Sequence, residues 1–227
     1  MLGRPKPARW PAAAVITGLV LAGAATAGYA ATRPPGHDFG VIPAASAAAA
    51  PAGRAVQATR TPATRTPATR TPATRAGITV TAVPVRLRIA AIGVSAPVVP
   101  VGVAADGTLG IPDSPSVVGW WAGGSSPGRT SGATVLVGHV DSSALGPGAL
   151  FRLQQLRPGA AVTLIAGGRA WHYAVRAVRA YAKAGLPSAA VFGQRVTSRL
   201  VIITCGGQFD AVTGHYRDNI VVYAVPT

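Results

Sequence analysis

The chain has 227 residues, which suits one domain with appendages; 49% are apolar and only 12% are charged. Its 21 Lys and Arg residues stand against 6 acids, all of them Asp, for a net charge of +15. Residues 1–83 hold nine basic residues and one Asp, and residues 84–227 hold twelve and five, so the charge is shared as +8 and +7. The second half has no basic run, no zinc-finger spacing and no aromatic-basic RNA motif, which argues against a nucleic-acid partner. A basic exterior facing an anionic membrane or cell wall is the simpler reading.

Residues 1–11 form a basic tail with Arg4, Lys6 and Arg9, and an uncharged stretch follows, with its apolar core at 12–31. Such a run spans roughly 30 Å as a helix, about the thickness of the bilayer hydrocarbon. The basic residues before it set the tail in the cytoplasm by the positive-inside rule. Small residues at 25–27 and 30–31 also offer cleavage sites for a signal peptide, but the run is longer than a usual signal core. The expectation is therefore an uncleaved, single-pass signal anchor in the cell membrane, with everything after residue 33 outside.

Residues 32–83 read as a linker. Within them, 59–73 is three identical copies of Thr-Arg-Thr-Pro-Ala. A proline every five residues removes helix donors and favours extended chain, and there is too little bulky apolar material for a core. Deleting the repeat is expected to leave the isolated domain unchanged.

From Pro84 the pattern changes. Val85, Leu87 and Ile89 alternate with Arg86 and Arg88, the signature of a half-buried strand. Further strands are predicted at 133–137, 161–165, 171–178, 200–204 and 220–225, with a helix at 149–156 where Leu150, Leu153 and Leu156 fall near helical spacing. Residues 84–227 thus read as one all-β domain, a closed barrel or a sandwich.

Three residues stand where an apolar strand meets a loop: His139 in Gly-His-Val-Asp, Cys205 in Ile-Thr-Cys-Gly-Gly, and Arg217 in His-Tyr-Arg-Asp-Asn. That setting holds a polar group rigidly within reach of solvent, as catalytic groups require. Each has a plain structural alternative: a core thiol, a hydrogen-bonded histidine, a solvated arginine. Cys205 is the only cysteine, so no intramolecular disulfide is possible, and a lone thiol in an exported protein is a liability unless it is used. Asp141 is placed either to orient His139 or to cap a turn. His215 reads as a turn residue, His172 as an outward strand residue, and of Trp120 and Trp121 one is expected in the core and the other beside a groove. The scarcity of acids leaves no metal site, and no cofactor is expected.

The ordered set resembles the sortases, over roughly 84–227. Val-Ile-Ile-Thr-Cys at 201–205 is similar to the family's Thr-Leu-x-Thr-Cys strand, departing at its first two positions, which are β-branched here. His139 precedes Cys205 by 66 residues and Arg217 follows by 12. Gly-His-Val-Asp and Thr-Cys-Gly-Gly-x-Phe-Asp look most like the actinobacterial class F sortases.

The resemblance implies a sortase-like eight-stranded antiparallel β-barrel with short helices. It implies a cysteine transpeptidase that cleaves a Leu-Pro-x-Thr-Gly-like sorting signal between Thr and Gly. Cys205 would be the nucleophile, His139 the acid/base, Arg217 the substrate-positioning and oxyanion-stabilising group, and Thr204 a substrate-binding neighbour. The implied partners are sorting-signal-bearing surface proteins and a peptidoglycan or lipid-linked amine acceptor, with the enzyme a monomer. With unperturbed pKa values of about 8.5 and about 6.5, a thiolate–imidazolium pair costs roughly 2.7 kcal/mol, so only on the order of one percent is ionic at neutral pH. A slow enzyme is expected.

Two rivals remain. L,D-transpeptidases carry Ser-His-Gly-Cys at the nucleophile, whereas Ile203-Thr204 precede Cys205 here, and papain-like wall peptidases place Cys before His. The other rival is a non-catalytic wall- or peptide-binding module with an inert, buried Cys205.

Overall fold

The computed structural model describes residues 38–43 and 82–227. The stretch 12–31, expected to be a membrane anchor, and the Thr-Arg-Thr-Pro-Ala repeats lie outside the described residues. Among those described, no helix is long and apolar enough to cross a membrane.

Eight strands make the barrel: β1 (Pro84–Ile89), β2 (Val94–Val101), β3 (Val118–Trp121), β4 (Ala133–Val137), β5 (Ala161–Ala166), β6 (Arg169–Ala182), β7 (Arg199–Asp210) and β8 (His215–Pro226). They pair in the cyclic order β1-β2-β3-β4-β7-β8-β6-β5 and back to β1, a closed barrel. Closure leaves few edges exposed. Six pairings are antiparallel; β2–β3 and β4–β7 are parallel. Parallel neighbours need long crossovers, which the chain supplies at 102–117 and between β4 and β7.

Burial follows the strand period. In β7, Leu200 and Ile202 enter the barrel core with Leu87, Leu136 and Val222, while Val201 and Ile203 join Val135, Val137, Val221 and Tyr223 in a second cluster on the opposite face. The helix α1 (Ser188–Phe192) covers that outer face through Val191, and Trp121 packs edge-on against Phe192, ring centroids 5.5 Å apart. A sheet covered on both faces demands an unbroken apolar run, and 200–204 and 133–137 read that way.

Some expectations change. The helix predicted at 149–156 is one 3-10 turn, Leu153–Gln155. Leu150, Leu153 and Leu156 are buried as their spacing suggested. An eight-residue segment is too short to hold a helix by itself, and Pro158 drives the chain before it towards extended backbone. In β1 the alternation breaks at Val85, which is 53% exposed, because a register shift between Pro84 and Arg86 changes parity. The strand predicted at 200–204 continues through Cys205 to Asp210, so Cys205 lies within a strand and not at its end. A bulge between Gly206 and Phe209 follows it. Gly207, at φ +73°, is required there, since a Cβ would sit 2.3 Å from an Asp218 carboxylate oxygen.

Residues 38–43, within the stretch read as linker, lie on the barrel. β6 is 14 residues long and β5 only 6, so β6 outruns its partner on that edge. Phe39–Gly40 pairs there with Val178 and Ala177. The Asp38 carboxylate accepts the Ala180 N–H, the Arg179 guanidinium donates to the carbonyls of Phe39 and Gly40, and Arg157 stacks 4.0 Å over the Phe39 ring. Gly40 has φ +79°, and a Cβ would lie 1.9 Å from the Arg176 carbonyl oxygen. Gly40→Ala is therefore expected to lift this strand and lower the melting temperature of a 38–227 fragment by several degrees, on the order of 1–2 kcal/mol. An unchanged melting curve would show that the strand contributes nothing.

Candidate active site

Strand pairing assembles the candidate residues. The parallel match of Ile203 with Val137 brings the exit of β4 alongside the middle of β7. The ladder continues one step further: Gly138 N–H donates to the Ile203 carbonyl at 3.2 Å, and the buried Thr204 hydroxyl donates to the Gly138 carbonyl at 2.8 Å. Two bonds thus hold the residue before His139 against the two residues before Cys205. A gap of 66 residues in sequence is closed by this one pairing.

His139 is half-buried, and its Nε2 lies 2.9 Å from the Pro112 carbonyl on the β2–β3 connection. A carbonyl only accepts, so Nε2 carries a proton in both charge states and Nδ1 is the nitrogen that gains or loses one. Asp141 does not orient His139. Its carboxylate accepts a hydrogen bond from the Tyr216 hydroxyl, which pushes the Tyr216 pKa up to about 12.

Cys205 is half-buried on the outer face of β7, in line with Val201 and Ile203. Directly across the ladder stands Asn219 of β8. Burial pushes the Cys205 thiol above its ordinary pKa; the Lys183 ammonium works against that, and the Asp141 charge adds to it. Arg217 lies two residues before Asn219 and is half-exposed. Its guanidinium pairs with Asp210 at 3.4 Å across the β7–β8 turn, while Asp210 accepts the N–H groups of Val212 and Thr213. An exposed pair of this kind holds weakly and leaves the guanidinium available to another acceptor.

A small cavity of about 10 Å³ lies beside the thiol, lined by Leu109, Ile111, Val137, Gly138, Ile203, Thr204, Cys205 and Asn219. Of the weaker candidates, Trp120 is core at 3% exposure and Trp121 belongs to the outer cluster. His172 faces outward, its Nδ1 3.3 Å from the Thr163 hydroxyl. Among the described residues, no three His, Cys, Asp or Glu side chains converge as a metal cage.

Sequence reasoning missed Asn219 and Lys183. Asn219 carries no local signal, because only the register with β7 sets it opposite Cys205. Lys183 had one: it is the sole lysine among the twelve basic residues of 84–227. Its influence is testable. Alkylation of Cys205 by iodoacetamide is expected to accelerate with rising pH, with its midpoint above the ordinary thiol range. Lys183→Ala should move that midpoint up and Asp141→Asn should move it down. Shifts of opposite sign would contradict the electrostatics described.

Comparison with known proteins adds an independent finding. A family model described as the sortase domain matches residues 87–227. Sequence comparison with curated proteins gives no match. Similar solved structures include sortase C-1 from Actinomyces oris (24% identity, 63% of this chain and 72% of that one, TM-score 0.48). Another is sortase E1 from Streptomyces coelicolor, solved with a tripeptide in its active site (16%, 63% and 86%, TM-score 0.49). A lid mutant of sortase A from Corynebacterium diphtheriae is also similar (17%, 63% and 68%, TM-score 0.49).

Proposed function

The chain belongs to the sortase family of cysteine transpeptidases, and from that premise we propose that Cys205, His139 and Arg217 carry out acyl transfer on a Leu-Pro-x-Thr-Gly-like sorting signal. The observation that supports this reading most is the pair of bonds from Ile203 and Thr204 to Gly138, which fastens the His139-bearing segment beside the strand of Cys205.

The Cys205 sulfur attacks the carbonyl of the residue before the scissile bond. The C–S bond forms, and the carbonyl oxygen takes the negative charge. Arg217 donates to that oxygen. As the oxyanion collapses the C–N bond breaks, and His139 Nδ1 delivers its proton to the departing amine. An incoming amine then surrenders a proton to the same Nδ1 and attacks the thioester; the C–S bond breaks and the sulfur leaves as thiolate. Thr204 contributes by holding Gly138, and so His139, at the level of the nucleophile.

The acceptor in this reading is a peptidoglycan or lipid-linked amine, and the acyl donors are surface proteins carrying the sorting signal. The enzyme works as a monomer on the outer face of the membrane, held by 12–31. The phrases around His139 and Cys205 support the class F subgroup. Mass spectrometry of the 38–227 fragment with a Leu-Pro-x-Thr-Gly peptide library and an amine tests the core claim. A covalent acyl adduct on Cys205 and an amine-capped product are expected. Cleavage at another bond, or no adduct across the library, would overturn the substrate assignment.

A further inference from the structure

The outer face of β1 and β5 is basic and carries no acid. In the cyclic strand order β1 and β7 stand four places apart, so this flank lies on the far side of the barrel from Cys205. Leu87, Ile89, Leu164 and Tyr173 fill the core beneath it, which turns Arg86, Arg88, Thr163 and His172 outward. The register sets Ser95, Arg88, Thr163 and His172 in one row across β2, β1, β5 and β6. Arg176 stands exposed further along β6. The five acids of 84–227 lie on the β2–β3 connection or around the candidate site, and none is on β1, β2, β5 or β6. Among the described residues, Arg86, Arg88 and Arg176 pair with no carboxylate. The route of the chain bears on the same flank. With 12–31 as the membrane anchor, only residues 32–37 separate the bilayer from Asp38, and the strand that follows is fixed to β6. Seven residue steps reach at most about 25 Å, less than the roughly 30 Å diameter of a small domain. Residues 44–81 add nothing to that reach, because the chain on both sides of them belongs to the barrel.

We infer that this flank, with Arg86, Arg88 and Arg176 at its centre, docks on the anionic phospholipid headgroups of the bilayer and so turns Cys205 away from the membrane. The inference goes beyond the acyl-transfer reading and rests only on its anchor at 12–31. Guanidinium groups match phosphate oxygens with paired donors, and the Ser95 and Thr163 hydroxyls stand in the same row to donate beside them. Each arginine at an anionic surface strengthens attraction by about fivefold. That is weak for a free domain, but a short tether holds the flank at a local lipid concentration on the order of millimolar, where weak attraction suffices. An anionic wall polymer carries similar charge. The tether favours the lipid, because it keeps β6 within reach of the bilayer at all times.

The test uses the full chain in lipid nanodiscs made either of phosphatidylcholine alone or with phosphatidylglycerol added. A fluorescent donor is attached in the Cys205→Ala background through Ser95→Cys on the flank, or through Val212→Cys, 96% exposed on the β7–β8 turn. Energy transfer to an acceptor on the lipid headgroups reads the orientation. In anionic nanodiscs the donor at 95 is expected to transfer at least about twofold more efficiently than the donor at 212, and in neutral nanodiscs the two should converge. Raising the salt concentration should abolish the difference, since surface attraction is screened. Arg86→Gln/Arg88→Gln/Arg176→Gln should abolish it too. Equal transfer from the two positions in anionic nanodiscs overturns the docking, and this comparison needs no arginine variant to fold. A difference that ignores lipid charge, with the donor at 95 shielded only when polyglycerol phosphate is added, would assign the flank to a wall polymer and overturn the lipid assignment. Failure of the chain to enter nanodiscs overturns the anchor reading and this orientation with it, an outcome distinct from insertion without docking. Acyl transfer to a soluble amine is measured separately, so its failure leaves the orientation result standing.

Discussion

Cys205→Ala is expected to abolish both acyl capture and turnover, with a loss of at least about 10⁴-fold in kcat/KM. No second thiol exists to take over the displacement, and removing a covalent nucleophile leaves only binding and electrostatic stabilisation. Cys205 is only half-buried, so losing its sulfur should cost on the order of 1 kcal/mol or less, and the melting temperature should stay within about 3 °C of wild type. The inert-thiol alternative forecasts the reverse pattern: clear destabilisation, with alkylation only on unfolding. Turnover by the Ala variant at a rate near wild type would remove Cys205 from the chemistry.

His139→Ala should reduce turnover by about 10²- to 10⁴-fold, since an amine leaves poorly without a proton. Its signature lies in the pH profile. The wild-type rate should be bell-shaped, because the sulfur holds its proton in acid and the imidazole has lost its own in base. Burial raises the thiol pKa, which moves the basic limb upward. In His139→Ala the basic limb should vanish while alkylation of Cys205 continues. A bell retained in that variant would assign the proton transfer to another group. Gln in place of His139 would keep a polar ring-sized group and no titration, so it should lose the basic limb in the same way.

The local roles of Asp141 and Arg217 show how a plausible sequence neighbour is claimed by another partner. Asp141 follows His139 by two residues, yet its carboxylate belongs to Tyr216, 75 positions away. Arg217 keeps its place on the strand after Cys205, but in this structure its guanidinium rests on Asp210. Productive engagement of a substrate oxyanion requires it to exchange that carboxylate for the substrate. The weak, exposed pair permits the exchange.

What the sequence by itself determined was six of the eight barrel strands, with Val94–Val101 and Val118–Trp121 missed, together with the family and the ordered appearance of His139, Cys205 and Arg217. The run Ala133–Val137 was predicted with its true limits because a strand covered on both faces has no choice but to be apolar throughout. The short phrases around the three candidates carried the family resemblance. What only the tertiary structure decided was partnership. A strand's sequence records which of its side chains share a face, but not which strand lies beside it or in what register, since backbone hydrogen bonds are the same for every residue. So Asn219 gained its position opposite Cys205, His139 its Pro112 acceptor, and Thr204 its hold on Gly138 only when the barrel closed. The same holds for Phe39–Gly40. Nothing in six residues of a low-complexity stretch announces a strand, and its pairing exists because β6 presents an open edge that these residues fit.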